Sequence, residues 1–420
     1  MTQTRGKMSS TYVRARMSEA PAPSSLATPS FKRPVSVELF AGAGGLALGC
    51  QLAGFSAVAT LELDATACNT LRRNRDRGHK LAADWNVQEG DVRDFDWAQH
   101  EGAVDLVAGG PPCQPFSTGG LGRAASDERN MFPVTADIVT RLRPKAFIIE
   151  NVRGLTREAF AEYYEYIQRR LALPEVAAKL DEGWPDHLAR LRRVAEQDAH
   201  HDFAYDVVAT LVNAADYGVP QQRHRVFIIG FRSDLEVEWR FPAVTHSKES
   251  LLHAQWVTGN YWEEHEVAIG QRPARPNSRV RDLVGPGTSQ RRWQTVRDAL
   301  VGLPSPSRRN STDIPNHVYQ SGARSYQGHT GSPWDWPAKA LKAGYHGVPG
   351  GENMLRHTNG SVRYFTVRES ARIQTFPDDF EFHGSWGEAM RQLGNAVPVQ
   401  LAQIVAASVY TGLAVREDLR

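Results

Sequence analysis

One segment near the start of the sequence restricts the fold more than any other. Residues 35–40 read as a buried strand, a glycine-rich turn follows at 41–45 (Ala-Gly-Ala-Gly-Gly), and Leu46, Leu48 and Leu52 then recur at helical spacing. Glycines let the backbone turn tightly and approach a ligand closely. This order is typical of nucleotide-binding α/β folds, although the Gly-x-Gly-x-x-Gly spacing of dinucleotide-binding proteins is not present.

Later segments extend the α/β pattern. Short apolar runs predict strands buried on both faces at 57–63, 104–108, 146–149, 205–212 and 225–230. The segments between them can hold helices, so we expect a parallel sheet with crossover helices. No run reaches the roughly 20 apolar residues of a membrane helix, and three cysteines are too few for a disulfide framework. These features predict a cytoplasmic protein without membrane contact.

Composition divides the 420 residues into four parts. Residues 1–33 are basic and rich in small residues, which predicts a disordered leader. The strand and helix pattern occupies 34–230 and includes a polar helical insert at 155–203. Few regular patterns and many Pro, Gly and Ser residues mark 231–363, and 364–420 returns to helical character with an apolar-faced helix at its end.

Two acidic residues follow predicted strands near the glycine turn. Glu62 lies twenty residues beyond Gly42 at the end of the second strand, where a carboxylate can bind ribose hydroxyls. Asp91, in the sequence Gly-Asp-Val, could end a third strand and bind an adenine amine. From these residues alone, adenine-nucleoside binding is favoured only somewhat over a structural turn with exposed strand ends.

A cysteine and a glutamate end two further strands. Cys113 follows 104–108 within Gly-Gly-Pro-Pro-Cys-Gln-Pro-Phe-Ser, and Glu150 follows 146–149. Because the carboxyl ends of adjacent parallel strands meet, Cys113 and Glu150 should share one cleft. A lone thiol is more often packed as a small apolar group, the interpretation we give to Cys50 and Cys68 in their apolar helical patterns.

Six motifs resemble, in order, those of bacterial cytosine-5 DNA methyltransferases. They are Phe40-Ala-Gly-Ala-Gly-Gly45, Pro-Pro-Cys113-Gln, Glu150-Asn151-Val152, Gln221-Gln-Arg223-His-Arg225, Thr366-Val-Arg368-Glu369-Ser370 with Phe376-Pro377, and Gly394-Asn395-Ala396-Val397-Pro398. Glu38 stands where many members have Asp, which keeps the carboxylate. The resemblance covers 34–230 and 364–412 and implies a Rossmann-like, S-adenosylmethionine-dependent methyltransferase core. The region between them corresponds to a smaller, variable target-recognition domain.

The resemblance also implies roles for individual residues. Cys113 would attack carbon 6 of a flipped-out cytosine, Glu150 would hold ring nitrogen 3, and Arg225 and Arg223 would lie around the base. The cofactor would be S-adenosylmethionine without a metal, bound by Phe40, Gly42, Gly45, Glu62, Asp91, Pro112 and Asn395. The segment 117–129, with Gly119, Gly120 and Gly122, suits a lid over the base but could equally be plain surface.

Local positive charge in the third part suits DNA. The net charge is only +2, yet nine arginines and no lysine lie between 267 and 309, against Asp282 and Asp298. The cluster suits phosphate contacts and guanine readout, or a solvated face; it includes Arg272, Arg275, Arg279 and Arg281. The glycine-rich, aromatic segment 322–331, with Lys339, Lys342 and His346 beyond it, is the candidate for base contacts.

The partner expected from these features is double-stranded DNA, modified by a monomeric enzyme located with the nucleoid in the cytoplasm. A cognate restriction endonuclease acting on the same site is a further expectation, because a compact chain without regulatory domains resembles restriction-modification enzymes. An RNA cytosine-5 methyltransferase and a catalytically silent DNA-binding relative are the alternatives. A dinucleotide oxidoreductase is disfavoured by the Pro-Pro-Cys-Gln motif.

Overall fold

The glycine turn at 41–45 joins the first strand of the central sheet to a helix, as predicted. The computed structural model describes residues 33–112, 130–197, 203–275, 289–307, 314–343 and 353–417, which belong to one compact unit. Outside the described residues lie nearly all of the predicted leader, Cys113 and the predicted lid at 117–129.

Helices and strands alternate through the first half of the chain. The central strands are β1 (Val35–Leu39), β2 (Ser56–Glu62), β3 (Val87–Glu89), β4 (Leu106–Gly109), β5 (Ala146–Val152), β6 (Tyr205–Asn213) and β8 (His224–Arg232). The shorter strands are β7 (Gln221–Gln222), β9 (His246–Ser247), β10 (Arg291–Arg292), β11 (Ser332–Pro333), β12 (Ala338–Lys339), β13 (Met354–Arg356) and β14 (Val362–Tyr364). The helices are α1 (Gly45–Ala53), α2 (Ala65–Asp76), α3 (Phe132–Leu142), α4 (Ala161–Ala172), α5 (Trp184–Glu196), α6 (Lys248–Trp256), α7 (Asn260–Glu264), α8 (Val296–Leu300), α9 (Val367–Ile373), α10 (Trp386–Asn395) and α11 (Val399–Glu417).

The central sheet has the strand order β3-β2-β1-β4-β5-β8-β6. Strands β1 to β5 are parallel, as predicted. The expectation of a parallel sheet was wrong for β8, which is antiparallel to both of its neighbours, β5 and β6, so that β6 again runs in the direction of β1 to β5. The connection 214–223 between β6 and β8 is too short for the crossover of about a dozen residues that parallel strands need.

In its described residues the insert at 155–203 is helical, as predicted, but one side of it is largely apolar and buried. Helices α4 and α5 pack into the same core as the sheet, where Tyr163, Ile167 and Leu191 are buried. On the outer side Glu165 forms an ion pair with Arg192. The insert therefore thickens the layer of helices on one face of the sheet.

The last helix lies against the first. A Cβ on Gly49 of α1 would lie only 2.3 Å from the Cβ of Ala402 in α11, so the two helices are in close contact. Among the described residues, the stretch Trp386–Val415 is long and apolar enough to span a membrane. Leu401 and Val405 of α11 are nevertheless fully buried in the protein core, which is typical of a core helix.

The region 231–363 contains short elements, as predicted, and a core of its own. Tyr261, Trp262 and Trp293 are buried together there. A second core cluster joins this region to the rest of the chain, since it contains Leu341 together with Phe365. The boundaries of a target-recognition domain at 231 and 363 therefore stay a prediction.

Glu38 places a carboxyl group inside the core beneath the glycine turn. It lies in β1, is fully buried, and accepts a hydrogen bond from Ser36 Oγ at 3.1 Å. Burial raises the pKa of Glu38 to about 7, although hydrogen bonds from Ser36 and Cys50 oppose the shift. The native protein thus keeps a proton at a pH where an unfolded glutamate has lost it.

This proton makes stability depend on pH. Because unfolding releases it, Glu38 should lower the free energy of unfolding by about 3 kcal/mol as the pH rises from about 4.5 to about 7.5. The Glu38→Gln variant stays neutral and should lack this part of the pH dependence. Urea unfolding of both proteins at about pH 5 and about pH 8 measures it. An identical change with pH in the two proteins would contradict the prediction.

Candidate active site and cofactor cleft

The glycine turn leaves an open space at the carboxyl end of β1. Phe40 and Gly42 have positive φ angles of 53° and 56°, and the Gly42 N–H donates to Glu62 Oε2 at 2.7 Å. Among the described residues, no atom lies within 4 Å of the position that a Cβ on Gly42 would take. On the other side a Cβ on Gly45 would lie 2.2 Å from the Val397 carbonyl oxygen. The turn is therefore packed on one side and open on the other.

Glu62 connects two backbone segments at this opening. Its second carboxylate oxygen accepts the Asp64 N–H at 2.7 Å. Burial raises the pKa of Glu62, opposed by the hydrogen bonds from Asp64 and Gly42. The neighbouring Leu63 has 68% of its surface exposed. Leu63 was not among the residues predicted to bind the cofactor, and its one signal in the sequence is its place directly after Glu62.

The other residues predicted to bind the cofactor lie on three separate segments. Asp91 lies two residues beyond β3 and forms a bidentate ion pair with Arg93, at 2.6 and 3.0 Å, which lowers the pKa of Asp91. Pro112 is exposed after β4. Asn395 is exposed as the last residue of α10, and the residue after it packs against the start of α1.

These residues fit the adenosine part of S-adenosylmethionine. The open space above Gly42 gives room for a ligand, and the Glu62 carboxylate can accept hydrogen bonds from ribose hydroxyls. Asp91 offers an acceptor to an adenine amine, although its oxygens also hold Arg93. The exposed side chain of Leu63 can pack against a flat base.

Glu150, near the carboxyl end of β5, and Arg225, near the start of β8, form an ion pair across these neighbouring strands. The two strands pair so that Arg225 lies opposite Val152, and Arg225 Nε lies 2.7 Å from Glu150 Oε1. Burial raises the pKa of Glu150, while the charges of Arg225 and Arg223 lower it. A buried carboxyl group with a raised pKa can hold a proton and pass it to a base.

The segment that leads to Cys113 runs along this carboxyl group. A Cβ on Gly110 would lie 3.1 Å from Glu150 Oε2, and Asn151 Nδ2 donates to the Pro111 carbonyl at 3.1 Å. Strands β4 and β5 are parallel neighbours, which confirms the strand arrangement on which the shared cleft was predicted. The position of Cys113 itself lies outside the described residues.

Arg223 has a different environment from Arg225. Its side chain is fully buried and donates to the carbonyl oxygens of Leu341, Gly394 and Ala396 at 2.6 to 3.0 Å. Desolvation lowers the pKa of Arg223, and the charge of Arg225 adds to this effect. The catalytic role predicted for Arg223 stays a prediction. Its hydrogen bonds in this structure go to the backbone of distant segments and to the side chain of Gln221.

The arginines between 267 and 309 divide into two groups. Arg292 forms ion pairs with Asp298 and Glu264 at 2.8 Å, and Arg297 pairs with an aspartate of the same region. Arg272 donates to the Val267 carbonyl and lies over the Trp262 ring, and Arg275 donates to the Trp256 carbonyl. Neither forms an ion pair with another described residue. Arg279, Arg281 and His346 lie outside the described residues. The local positive charge is thus smaller than the count of arginines suggested.

The segment 322–331 presents an aromatic pair at the surface. Tyr326 and His329 bond to each other through their backbones, and their ring centroids lie 4.4 Å apart. Tyr326 is 48% exposed. Lys339 Nζ donates to Thr330 Oγ1 at 3.2 Å, so the predicted lysine does lie beside this segment.

One group of side chains has a spacing that could hold a cation. Ligand atoms of Glu264, His265 and Asp298 lie within 4.8 Å of one another. The guanidinium of Arg292 already bridges the two carboxylates. The cluster is therefore an ion-pair network that supports the start of α8, where Asp298 also completes a capping box with Thr295.

Comparisons with known proteins agree with the six motifs. Residues 35–172 and 193–411 match the family described as C-5 cytosine-specific DNA methylase. The Type II methyltransferase M.PspPI of Psychrobacter is 33% identical over 89% of this chain and 78% of its own. The Type II methyltransferase M.NgoMIV of Neisseria gonorrhoeae is 31% identical over 90% of this chain and 97% of its own. The solved structure of the Dnmt2 methyltransferase of S. pombe is 17% identical in sequence and has a TM-score of 0.52. The match covers 93% of this chain and 100% of that one.

The residues matched by the family include those of the site described above. The structural neighbour shares the fold, and the sequence relatives extend over most of the chain. The family match contains the glycine turn, the Glu150–Arg225 pair and the segment around Asn395. The chain belongs to the C-5 cytosine-specific DNA methylase family and is a DNA (cytosine-5-)-methyltransferase.

Proposed function

We propose that this enzyme methylates one cytosine within a short duplex DNA sequence, and that the modification protects host DNA from a restriction endonuclease of the same specificity. The observation that carries the proposal is the buried Glu150–Arg225 pair, which lies against the segment leading to Cys113. Two relatives bear the name Type II methyltransferase, which supports the restriction-modification role. We further propose a monomer that acts at the nucleoid in the cytoplasm.

Cytosine must be activated because its carbon 5 is a poor nucleophile. The thiolate of Cys113 adds to carbon 6, which makes carbon 5 enamine-like. Glu150 holds ring nitrogen 3 and favours its protonation, a task for which its raised pKa is suited. Arg225, and by resemblance Arg223, supply positive charge around the base. Once carbon 5 carries the methyl group, loss of its proton expels the thiolate and restores the ring.

The cofactor in this proposal is S-adenosylmethionine, which supplies an electrophilic methyl group when bound. Glu62 accepts hydrogen bonds from the ribose and Asp91 from the adenine amine, while Leu63 packs against the adenine. The remaining residues proposed to form the cleft are Phe40, Gly42, Gly45, Pro112 and Asn395. We propose no metal, because the thiolate and the carboxyl group supply the chemistry on the base.

DNA recognition is proposed for the region 231–363. Arg272 and Arg275 suit phosphate contacts. The pair of exposed Tyr326 and half-buried His329 suits contacts with bases. The target atom lies inside the base stack, so the cytosine must be flipped out at a cost of a few kcal/mol.

A genome-wide cytosine-conversion map tests the proposed function. The enzyme is expressed in a bacterial host without cytosine methylation, and we expect protected cytosines at a single short motif. A host expressing an endonuclease specific for that motif should then survive only with the enzyme. Soluble protein that binds S-adenosylmethionine but protects no cytosine would contradict the DNA substrate. Methylation of purified RNA by the same protein would instead support the RNA alternative.

A further inference from the structure

Three fully buried polar side chains form a chain of hydrogen bonds between distant parts of the sequence. Gln221 Nε2 donates to Gln374 Oε1 at 3.0 Å, and Arg223 Nη1 donates to Gln221 Oε1 at 3.4 Å. All three side chains have no exposed surface. We call Gln221, Arg223 and Gln374 the carbonyl clasp, because their other partners are backbone groups.

The clasp holds the backbone on both sides of Asn395. Arg223 Nη2 donates to the Gly394 carbonyl at 2.6 Å and to the Ala396 carbonyl at 3.0 Å. Gln374 Nε2 donates to the Ala396 carbonyl at 3.1 Å and to the Leu393 carbonyl. The last residues of a helix leave carbonyl oxygens without partners. The clasp therefore caps the end of α10 and determines where Asn395 lies.

The same side chains also hold the region 231–363. The Leu341 N–H donates to Gln221 Oε1 and the Leu341 carbonyl accepts from Arg223 Nη1, both at 3.0 Å. A Cβ on Gly394 would lie 2.3 Å from the Ala343 nitrogen, so this part of the chain passes directly over the end of α10. The clasp thus joins the two segments that meet there.

A buried arginine is costly unless its hydrogen bonds are satisfied. Here Nη1 and Nη2 donate to three backbone carbonyls, while Nε has no partner among the described residues. Two of these carbonyls lie at the end of α10, where the helix dipole favours a positive charge. Replacing Arg223 would leave buried carbonyls without donors. Arg223 also precedes β8 by one residue, so the residue that holds Asn395 also anchors the strand that carries Arg225.

We infer that Arg223 is a positioning residue, which acts through Asn395: the carbonyl clasp sets the place of Asn395 in the cofactor cleft and thereby the affinity for S-adenosylmethionine. The inference rests on the proposed role of Asn395 as a cofactor contact. It differs from the role that the family resemblance implies, in which Arg223 lies around the flipped base. Binding of S-adenosylmethionine measured without DNA distinguishes the two roles, because only the positioning role affects it.

The test measures S-adenosylmethionine binding by calorimetry without DNA. Arg223→Lys keeps the charge but loses the planar fork, and Gln374→Met removes the second donor at nearly constant volume. Each should raise the Kd about tenfold, because at least one buried hydrogen bond is lost at the cleft. Amide hydrogen exchange at residues 393–397 should accelerate in both variants.

A matched control changes a buried glutamine elsewhere. Gln255 donates to the Asp335 carbonyl at 2.8 Å within the region 231–363, so Gln255→Met should alter stability but leave the Kd for S-adenosylmethionine unchanged. Should Arg223→Lys not fold, Gln374→Met carries the same test. A wild-type Kd in folded clasp variants, with turnover alone reduced, would overturn the inference and favour contact with the base.

The Asn395→Ala variant separates this inference from the proposal on which it rests. If Asn395→Ala binds S-adenosylmethionine as tightly as the wild type, the proposed cofactor cleft is wrong at this residue and the inference falls with it. If Asn395→Ala binds weakly while the folded clasp variants bind normally, the inference alone is overturned. Weak binding by all three variants, with a normal Gln255→Met control, supports both.

Discussion

Replacing Cys113 with serine should lower the rate of methyl transfer by about four orders of magnitude or more. The attacking group in the proposed reaction is a thiolate, and a serine hydroxyl stays protonated at neutral pH. The two other cysteines are buried among the described residues. Burial raises the pKa of Cys50 and raises the pKa of Cys68 to about 12, so neither supplies a thiolate.

A covalent trap makes this prediction specific. A duplex is made with 5-fluorocytosine at the target position of the motif found in the genome map. Fluorine cannot leave carbon 5 as a cation, so the thiolate is not expelled and the enzyme stays attached to the DNA. We expect a cross-linked product with the wild type and with Cys50→Ala, and none with Cys113→Ser. A cross-link in Cys113→Ser would assign the nucleophile to another residue.

The second large effect is expected for Glu150→Gln, which should reduce the single-turnover rate by about a hundredfold to a thousandfold. Glutamine has nearly the same shape as glutamate but cannot exchange a proton with the ring. Arg225 also loses the carboxylate that lies 2.7 Å from its Nε atom. Binding of DNA and of S-adenosylmethionine should stay close to wild type, because the proposed defect lies in the activation of the ring.

The measurement is transfer of a radiolabelled methyl group with enzyme in excess over DNA. The exposed Glu238, in the segment after β8, provides a matched control, and Glu238→Gln should react at the wild-type rate. Thermal melting of each variant shows whether the fold is intact. If the single-turnover rate of Glu150→Gln lies within about threefold of the wild-type rate, proton transfer by this carboxyl group does not contribute much to catalysis.

Local sequence patterns were sufficient to predict much of the fold and part of the site. The turn after β1 follows from five consecutive small residues, and the placement of Glu150 follows from the rule that parallel strands end at one edge. The hydrogen bond between Gly42 and Glu62 joins residues only twenty apart. These features depend on residues close in sequence or on neighbouring strands. The apolar runs and the residues that follow them were therefore enough to predict them.

Other features depend on partners that no local pattern shows. The direction of β8 depends on the short connection 214–223 and reverses the parallel order that the apolar runs suggested. The backbone carbonyls that Arg223 holds are 118 to 173 residues away in sequence. The ion pairs of Arg292 and Arg297 likewise use side chains on separate elements. Burial and pairing of this kind arise only when the chain is folded.

The contact between α1 and α11 has a consequence for synthesis on the ribosome. A nascent chain that ends before α10 already contains the glycine turn, Glu150 and Arg225. It lacks Asn395 and the helix that packs against Gly49, so the proposed cofactor cleft is still incomplete. Premature termination should therefore yield products that do not methylate. A cell that acquires this gene should gain methylation of its DNA only from chains translated through α11.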